Sequence, residues 1–119
     1  MQNHDENNWL SVPEVADMLE VRLRDVRAML GDNELVAERR GESQALSIHR
    51  DQLVRAEDRW EALPSLRGTV TALKDAGLSD DEASRWLLAP NEDLGETPLH
   101  ALRQGRIHVV RRICQTLAF

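Results

Sequence analysis

Two short helical patterns follow one another near the start of the chain with almost no connection between them. The first apolar stripe comprises Val12, Val15, Ala16 and Leu19, and the second comprises Leu23, Val26 and Leu30. Only residues 20–22 separate the two stripes. Because two short helices with so tight a connection cross steeply, this spacing predicts a helix-turn-helix.

The ends of these two helices carry their own signals. Ser11 and Glu14 have the spacing of a capping box, and Pro13 suits the first turn of the helix that they open. Gly31 is a natural stop for the second helix. The pattern therefore predicts a first helix that ends near Leu19 or Glu20.

The hydrophobic period changes after the second helix. Two short apolar runs, at residues 35–37 and 45–48, flank a polar loop that contains Gly41. This arrangement predicts a β-hairpin, with a wing at about residues 38–45. We expect the next helix to run from about Arg50 to Leu63, where Pro64 ends it.

The remainder of the chain has helical patterns only. A stripe of Leu66, Thr69, Val70 and Leu73 precedes Gly77, and a last stripe consists of Ile107, Val110, Cys114 and Leu117. Between them, Ser79 with Glu82 forms a second capping box, which opens a helix that buries Ala83, Trp86 and Leu87. Thr97 followed by Pro98 is an N-cap and first-turn pair.

These patterns predict a mainly α protein, a winged helix-turn-helix with a small β-hairpin wing and a C-terminal helical bundle extension. We expect a disordered tail at residues 1–8 and the winged helix-turn-helix domain at residues 9–63. The C-terminal helical domain at residues 64–119 is expected to pack against it.

Arginines lie where such a fold would meet duplex DNA. With the second stripe in the core, Arg24 and Arg27 point outward from a recognition helix at about residues 23–30. Arg22 begins the same helix, and Arg39 and Arg40 lie on the wing. We expect the first pair in the major groove and the other three on or near the backbone. An ordinary solvated helix face is an equally good interpretation from charge alone.

The order of elements resembles the winged helix-turn-helix of excisionase and MerR-type DNA-binding domains. The resemblance covers roughly residues 9–60 and rests on SVPEVADMLEV, LRDVRAML, ELVAERRG and SIHRDQL. Two positions depart from that pattern. Glu20 stands where the turn usually has Gly, and Arg22 stands where the second helix usually has a Ser/Thr cap.

The C-terminal part has a resemblance of its own. The string SRWLLAPNEDLGETPLHALRQG looks like the small toxin-binding domain of Xre/ParS-type antitoxins. Together with the N-terminal winged helix and the ending VVRRICQTLAF, it is similar to a family of small actinobacterial DNA-binding proteins best known from mycobacteria. The resemblance implies a cytoplasmic DNA-binding regulator whose C-terminal helices serve packing, self-association or binding of a protein partner.

The composition of the chain limits the partners and structural features that we expect. The 119 residues include 15 basic and 21 acidic side chains, a net charge of −6, so affinity for DNA has to come from one small arginine face. No apolar run is long enough for a membrane span, and the single cysteine allows no internal disulfide. We expect no membrane partner.

The remaining reactive side chains have structural explanations. His4, His49, His100 and His108 lack metal-ligand spacing, and Cys114 lies on an apolar helical face. Trp9, Trp60 and Trp86 are expected in the core. We therefore expect no enzyme activity, no metal and no cofactor.

The alternative interpretation belongs to a different functional class. The acidic net charge, Glu20 in the turn and the antitoxin-like string favour a protein-interaction module whose winged helix no longer binds DNA.

Overall fold

The structure is a computed structural model that describes residues 6–117. Residues 1–5 of the predicted N-terminal tail lie outside that range, and Glu6–Asn8 form a single 3-10 turn. Two residues of the predicted C-terminal domain, 118 and 119, also lie outside it. No helix within the described range is long and apolar enough to cross a membrane.

The helix-turn-helix forms as the sequence predicts. Helix α1 spans Val12–Leu19 and helix α2 spans Leu23–Gly31. The capping box at the start of α1 is present: the Ser11 hydroxyl accepts from the Glu14 N–H, and the Glu14 carboxylate accepts from the Ser11 N–H. This reciprocal pair satisfies two backbone donors that an open helix end leaves unpaired.

A three-stranded antiparallel sheet packs against α1. Its strands are β1 at Trp9–Ser11, β2 at Glu38–Arg40 and β3 at Ala45–His49. The order in the sheet is β1-β3-β2, so β2 and β3 form the predicted wing and β1 adds a strand that the sequence patterns did not indicate. Leu10 pairs with Ile48, and both side chains are buried in the core.

The predicted helix from Arg50 to Leu63 is wrong. That segment forms a 3-10 turn at Arg50–Gln52 and then a second hairpin, with β4 at Leu53–Ala56 and β5 at Arg59–Ala62. A distant side chain favours this conformation: Arg103 Nη1 donates to the carbonyl oxygens of Asp51 and Leu53, at 2.9 and 2.8 Å. In a helix those carbonyls would accept from backbone N–H groups four residues later.

The Gln52 side chain connects the same segment to Val36, which precedes the wing. Its side-chain amide is buried, with 1% of its surface exposed. The Oε1 atom accepts from the Val36 N–H and the Nε2 atom donates to the Val36 carbonyl, both at 2.9 Å. One side chain thus satisfies both backbone groups of a buried residue, which would be costly to leave unpaired.

Four helices follow Leu63. They are α3 at Leu66–Asp75, α4 at Asp80–Leu88, α5 at Pro98–Arg103 and α6 at Ile107–Gln115. The predicted caps are present, because Ser79 and Glu82 form a capping box and the Thr97 hydroxyl accepts from the His100 N–H. The predicted α3 stripe is buried throughout. Leu66, Leu73 and Leu87 belong to the same continuous core as the buried residues of α1 and α2.

Candidate nucleic-acid interface

The turn between α1 and α2 holds a non-glycine residue in the left-handed region. Glu20 has φ 59° and ψ 45°. Its N–H donates to the Asp17 carbonyl, and the Val21 N–H donates to the Ala16 carbonyl. The backbone therefore makes the tight turn that a glycine usually provides, at some conformational cost.

The start of α2 is capped from within the helix. Arg22 occupies the N-cap position, and the Asp25 carboxylate accepts from its backbone N–H at 3.0 Å. The Asp25 side chain thus supplies one half of a capping box in the absence of a Ser or Thr at the cap. The helix begins at Leu23 as expected. Arg22 directly precedes its first turn, and Arg24 lies in that turn.

Arg24 and Arg27 form an exposed pair on α2. Both side chains are exposed, and residues three apart lie on the same helical face. Within residues 6–117, neither guanidinium has an ion-pair or hydrogen-bond partner. The pair is therefore available to a ligand without first breaking an internal contact.

Only part of the predicted apolar face of α2 is buried. Val26 is fully buried and Leu30 is half-buried, whereas Leu23 is 44% exposed. The expectation that Leu23 faces the core is wrong, because the first residue of the helix lies beyond the core at its open end. Leu23 and the neighbouring Val21, 39% exposed, instead extend the surface that carries Arg24.

The two wing arginines point to opposite faces of the sheet. Arg39 pairs with Leu46 and Arg40 pairs with Ala45, and successive residues of a strand alternate in direction. Leu46 lies two residues from the buried Ile48 in β3, so Arg39 shares the sheet face that packs against α1, and it lines a cavity together with Leu30 and Gly31 at the end of α2. Arg39 is exposed on that side.

Arg40 lies against Trp9 on the other face. Its guanidinium carbon is 4.0 Å from the centroid of the Trp9 ring, a cation–π contact, and its Nη1 atom is 3.7 Å from Glu38 Oε2. The His49 ring meets Trp9 edge-on at 5.1 Å. The expectation that Trp9 packs in the core is wrong, whereas Trp60 and Trp86 are partly buried against the core.

The five predicted arginines therefore fall into three groups. Arg22, Arg24 and Arg27 lie together on α2, Arg39 lies on the wing face directed toward the helices, and Arg40 is engaged on the opposite face. Strand alternation alone predicts that two consecutive wing residues diverge. Which of them faces the helices depends on the pairing register, and the sequence patterns did not provide it.

The described part of the chain contains no group of three or more His, Cys, Asp or Glu side chains that could hold a metal ion. Cys114 is buried in α6, and burial raises the pKa of its thiol to about 11 although the neighbouring Arg111 acts in the opposite direction. A thiol with so high a pKa is a poor nucleophile near neutral pH.

Both parts of the chain match models of one family. Residues 4–46 match the model described as "DNA-binding protein Rv2175c, wHTH domain". Residues 63–118 match the model described as "Rv2175c C-terminal domain of unknown function". Residues 47–62, which include the β4–β5 hairpin, lie between the two matches.

One relative and one solved structure are similar to this chain over nearly its whole length. The chain is 29% identical to the DNA-binding protein Rv2175c of Mycobacterium tuberculosis over 91% of this chain and 79% of that protein. It also matches the NMR structure of Rv2175c with a TM-score of 0.82 and 26% identity, over 100% of this chain and 85% of the other.

Proposed function

We propose that the chain binds duplex DNA through α2 and the wing, because residues 4–46 match the model of the Rv2175c winged helix-turn-helix domain and residues 63–118 match the model of the Rv2175c C-terminal domain. The observation that carries this proposal is the pair Arg24 and Arg27, exposed and unpaired on the second helix of the motif. The second helix of a helix-turn-helix is the one that enters the major groove. The relative named as a DNA-binding protein supports the same function.

The roles of the side chains follow from their positions. Arg24 and Arg27 are assigned to base edges, where an arginine can contact O6 and N7 of guanine with two hydrogen bonds. Arg22 and Arg39 are assigned to phosphates beside the groove. Arg40 belongs to the same set, but its guanidinium is already engaged by Trp9 and Glu38, so we expect its substitution to change affinity least.

We further propose that this binding serves transcriptional regulation, as in the MerR and excisionase-type domains that the element order resembles. The C-terminal helices are proposed to support either self-association or binding of a protein partner. The exposed outer face of α6, with His108 and Gln115, is one surface that such a partner can contact.

The direct test removes the two base-reading arginines together. We expect the Arg24→Ala, Arg27→Ala double variant to lose roughly 1–3 kcal/mol of binding free energy per base contact on a DNA site selected from random duplexes. Fluorescence anisotropy across a salt titration measures both the affinity and the number of phosphate contacts.

A matched control variant has the same net charge as the Arg24, Arg27 double variant. Arg67 and Arg112 are exposed on α3 and α6, and their double Ala variant loses the same two positive charges away from α2. We expect this control to bind the selected site nearly as well as the parent. If the Arg24, Arg27 variant binds as tightly as the parent at every salt concentration, the assignment is wrong.

One surface favours a second candidate function, a protein-interaction module that does not bind DNA. An open groove of about 310 Å³ beside the helix-turn-helix is lined in part by Val21, Met29 and the half-buried Trp60. Apolar surface of this kind is common at protein interfaces. Copurification of a stoichiometric protein partner, together with no DNA retardation at low salt, would support this second function.

A further inference from the structure

We infer that helices α3 and α4 position the wing and the end of α2 for DNA, with Asp81 and Ser84 as the positioning residues for the wing. This inference rests on the proposed function, because it concerns how the DNA-reading elements are held. The side chains involved lie on the C-terminal half of the chain and are not among the residues assigned to DNA.

Strand β2 has little to hold it in place within the sheet. It is three residues long and lies at the edge of the sheet, paired with β3 on one side only. An isolated two-stranded hairpin is marginally stable in water, and an edge strand presents unpaired backbone groups. The position of Arg39 therefore depends on whatever contacts the free side of β2.

Helix α4 supplies those contacts. Asp81 Oδ1 accepts from the backbone N–H of Arg39 at 2.9 Å. One turn further along the helix, the Ser84 hydroxyl donates to Glu38 Oε1 at 2.9 Å, and both of these side chains are buried. Asp81 and Ser84 are three residues apart and hence on one face of α4. Two hydrogen bonds thus fix two successive residues of the wing strand.

The C-terminal end of α2 is held in the same way by α3. The turn after α2 contains Asn33, with φ 66°, a conformation that few non-glycine residues adopt. Its Nδ2 atom donates to Thr71 Oγ1 at 3.1 Å, and its Oδ1 atom accepts from Lys74 Nζ at 3.2 Å. Both partners lie on α3, so this helix fixes the point where the DNA-reading helix ends.

A salt bridge joins the two sets of contacts. Lys74 Nζ lies 3.0 Å from Asp80 Oδ1, and Asp80 is the first residue of α4, next to Asp81. Asn33, Lys74, Asp80 and Asp81 therefore form a continuous polar connection from the end of α2 to the wing. We infer that this connection sets the distance between the two DNA-contacting elements, since each touches it directly.

The change in DNA affinity that we expect for Asp81→Ala is opposite in sign to the change that charge alone would cause. Asp81→Ala removes a negative charge, and charge alone would tighten binding to DNA. If Asp81 positions the wing, the same change weakens binding, by about five-fold for the loss of one hydrogen bond. Asp81→Asn removes the charge but keeps an oxygen that can accept from the Arg39 N–H, so we expect it to restore binding to at least the parent level.

The matched control is Asp75→Ala, which removes one exposed carboxylate at the end of α3. We expect it to bind DNA as tightly as the parent or slightly more tightly. Ser84→Ala gives an independent arm, because it takes the hydroxyl from Glu38 without changing the charge; we expect weaker binding there as well. Equal or tighter binding by Asp81→Ala overturns the inference.

Amide hydrogen exchange in the free protein separates this inference from the proposed function. We expect the Arg39 amide to exchange faster in Asp81→Ala than in Asp81→Asn, while the α1 amides remain unchanged. Unchanged exchange at Arg39 refutes the positioning role even if the variant loses DNA binding. If the two variants show this difference in exchange but the parent protein binds no duplex, the positioning role is supported and the proposed function is contradicted.

Discussion

At the scale of single residues, Glu20 shows how a tertiary requirement overrides local preference. The connection between α1 and α2 needs one residue in the left-handed region, and here a glutamate takes that conformation. An L-residue with a Cβ atom pays roughly 1–2 kcal/mol for it, whereas glycine does not. The sequence therefore identifies the site of strain, because the tight connection and the absence of glycine are both visible in it.

Replacing this residue tests the cost. We expect Glu20→Gly to raise the free energy of unfolding by about 0.5–1 kcal/mol, the relief of strain less the extra entropy of the unfolded glycine chain. Urea denaturation followed by circular dichroism measures the change. The control is Ala28→Gly, at an exposed position inside α2, which we expect to lower stability by about 1 kcal/mol. A destabilised Glu20→Gly protein would contradict the interpretation.

The candidate site residues were predictable to different degrees. The exposure of Arg24 and Arg27 followed from the position of Val26, which the apolar pattern correctly placed in the core. The exposure of Leu23 did not follow, because a helical pattern cannot show where a neighbouring element stops covering the helix. The engagement of Arg40 by Trp9 depends on β1 and β2 both pairing with β3, which brings together side chains 31 positions apart that no local pattern connects.

At the scale of elements, the helix caps were the most predictable feature. Both capping boxes and the Thr97 cap use side chains that bond to backbone groups within three residues. In the second box, hydrogen bonds from the backbone and the hydroxyl of Ser79 lower the pKa of Glu82. Such contacts are local and depend little on the rest of the fold.

This lowered pKa gives a pH-dependent contribution to stability. Because the folded pKa of Glu82 lies below its ordinary value of 4.5, the carboxylate stabilises α4 above that pH, and the contribution is lost as the pH falls through the folded pKa. We expect Glu82→Gln to be less stable than the parent at neutral pH, and we expect that difference to shrink at an acidic pH well below 4.5, as the parent carboxylate is protonated. Urea denaturation at both pH values checks this; a difference that persists in acid would contradict it.

The segment at residues 50–63 shows where element prediction failed. Its apolar residues recur at helical spacing, and its turn, Glu57–Asp58, lacks the Asn-Gly or Asp-Gly signal of a tight hairpin. The structure nevertheless pairs Val54 with Glu61 in a β-hairpin, with Glu57 at φ 54°. Arg103 donates to the Leu53 carbonyl and the Gln52 amide donates to the Val36 carbonyl, so this segment depends on partners outside it in the sequence.

At the scale of the whole molecule, the two parts of the chain share one core. Buried residues from α1, α2 and β3 join those of α3, α4, α5 and α6 in one cluster. Cys114, on the inner face of α6, is 1% exposed. A shared core implies that the buried residues of α6 become accessible only when the whole protein unfolds.

Cys114 provides a measurement of that cooperativity. Burial blocks access to its thiol and raises its pKa to about 11, so we expect negligible alkylation by iodoacetamide in native buffer near neutral pH. Labelling should increase with urea along the same curve as the loss of helical circular dichroism. Glutathione in the same buffers controls for the effect of urea on the reagent. Rapid labelling of the native protein, or labelling well before the main transition, would contradict a single cooperative core.

The sequence by itself determined the helix-turn-helix, its caps, the wing and the exposed arginine pair. Each of these depends on periodicity or on contacts within a few residues, which a linear pattern records. Only the tertiary structure decided the β4–β5 hairpin, which of Arg39 and Arg40 faces the helices, and the contacts of α3 and α4 with α2 and the wing. The hairpin and the helix contacts depend on hydrogen bonds between residues 38 to 52 positions apart, such as Asn33 with Thr71 and Arg103 with Asp51. Their partners are brought together only when the shared core forms.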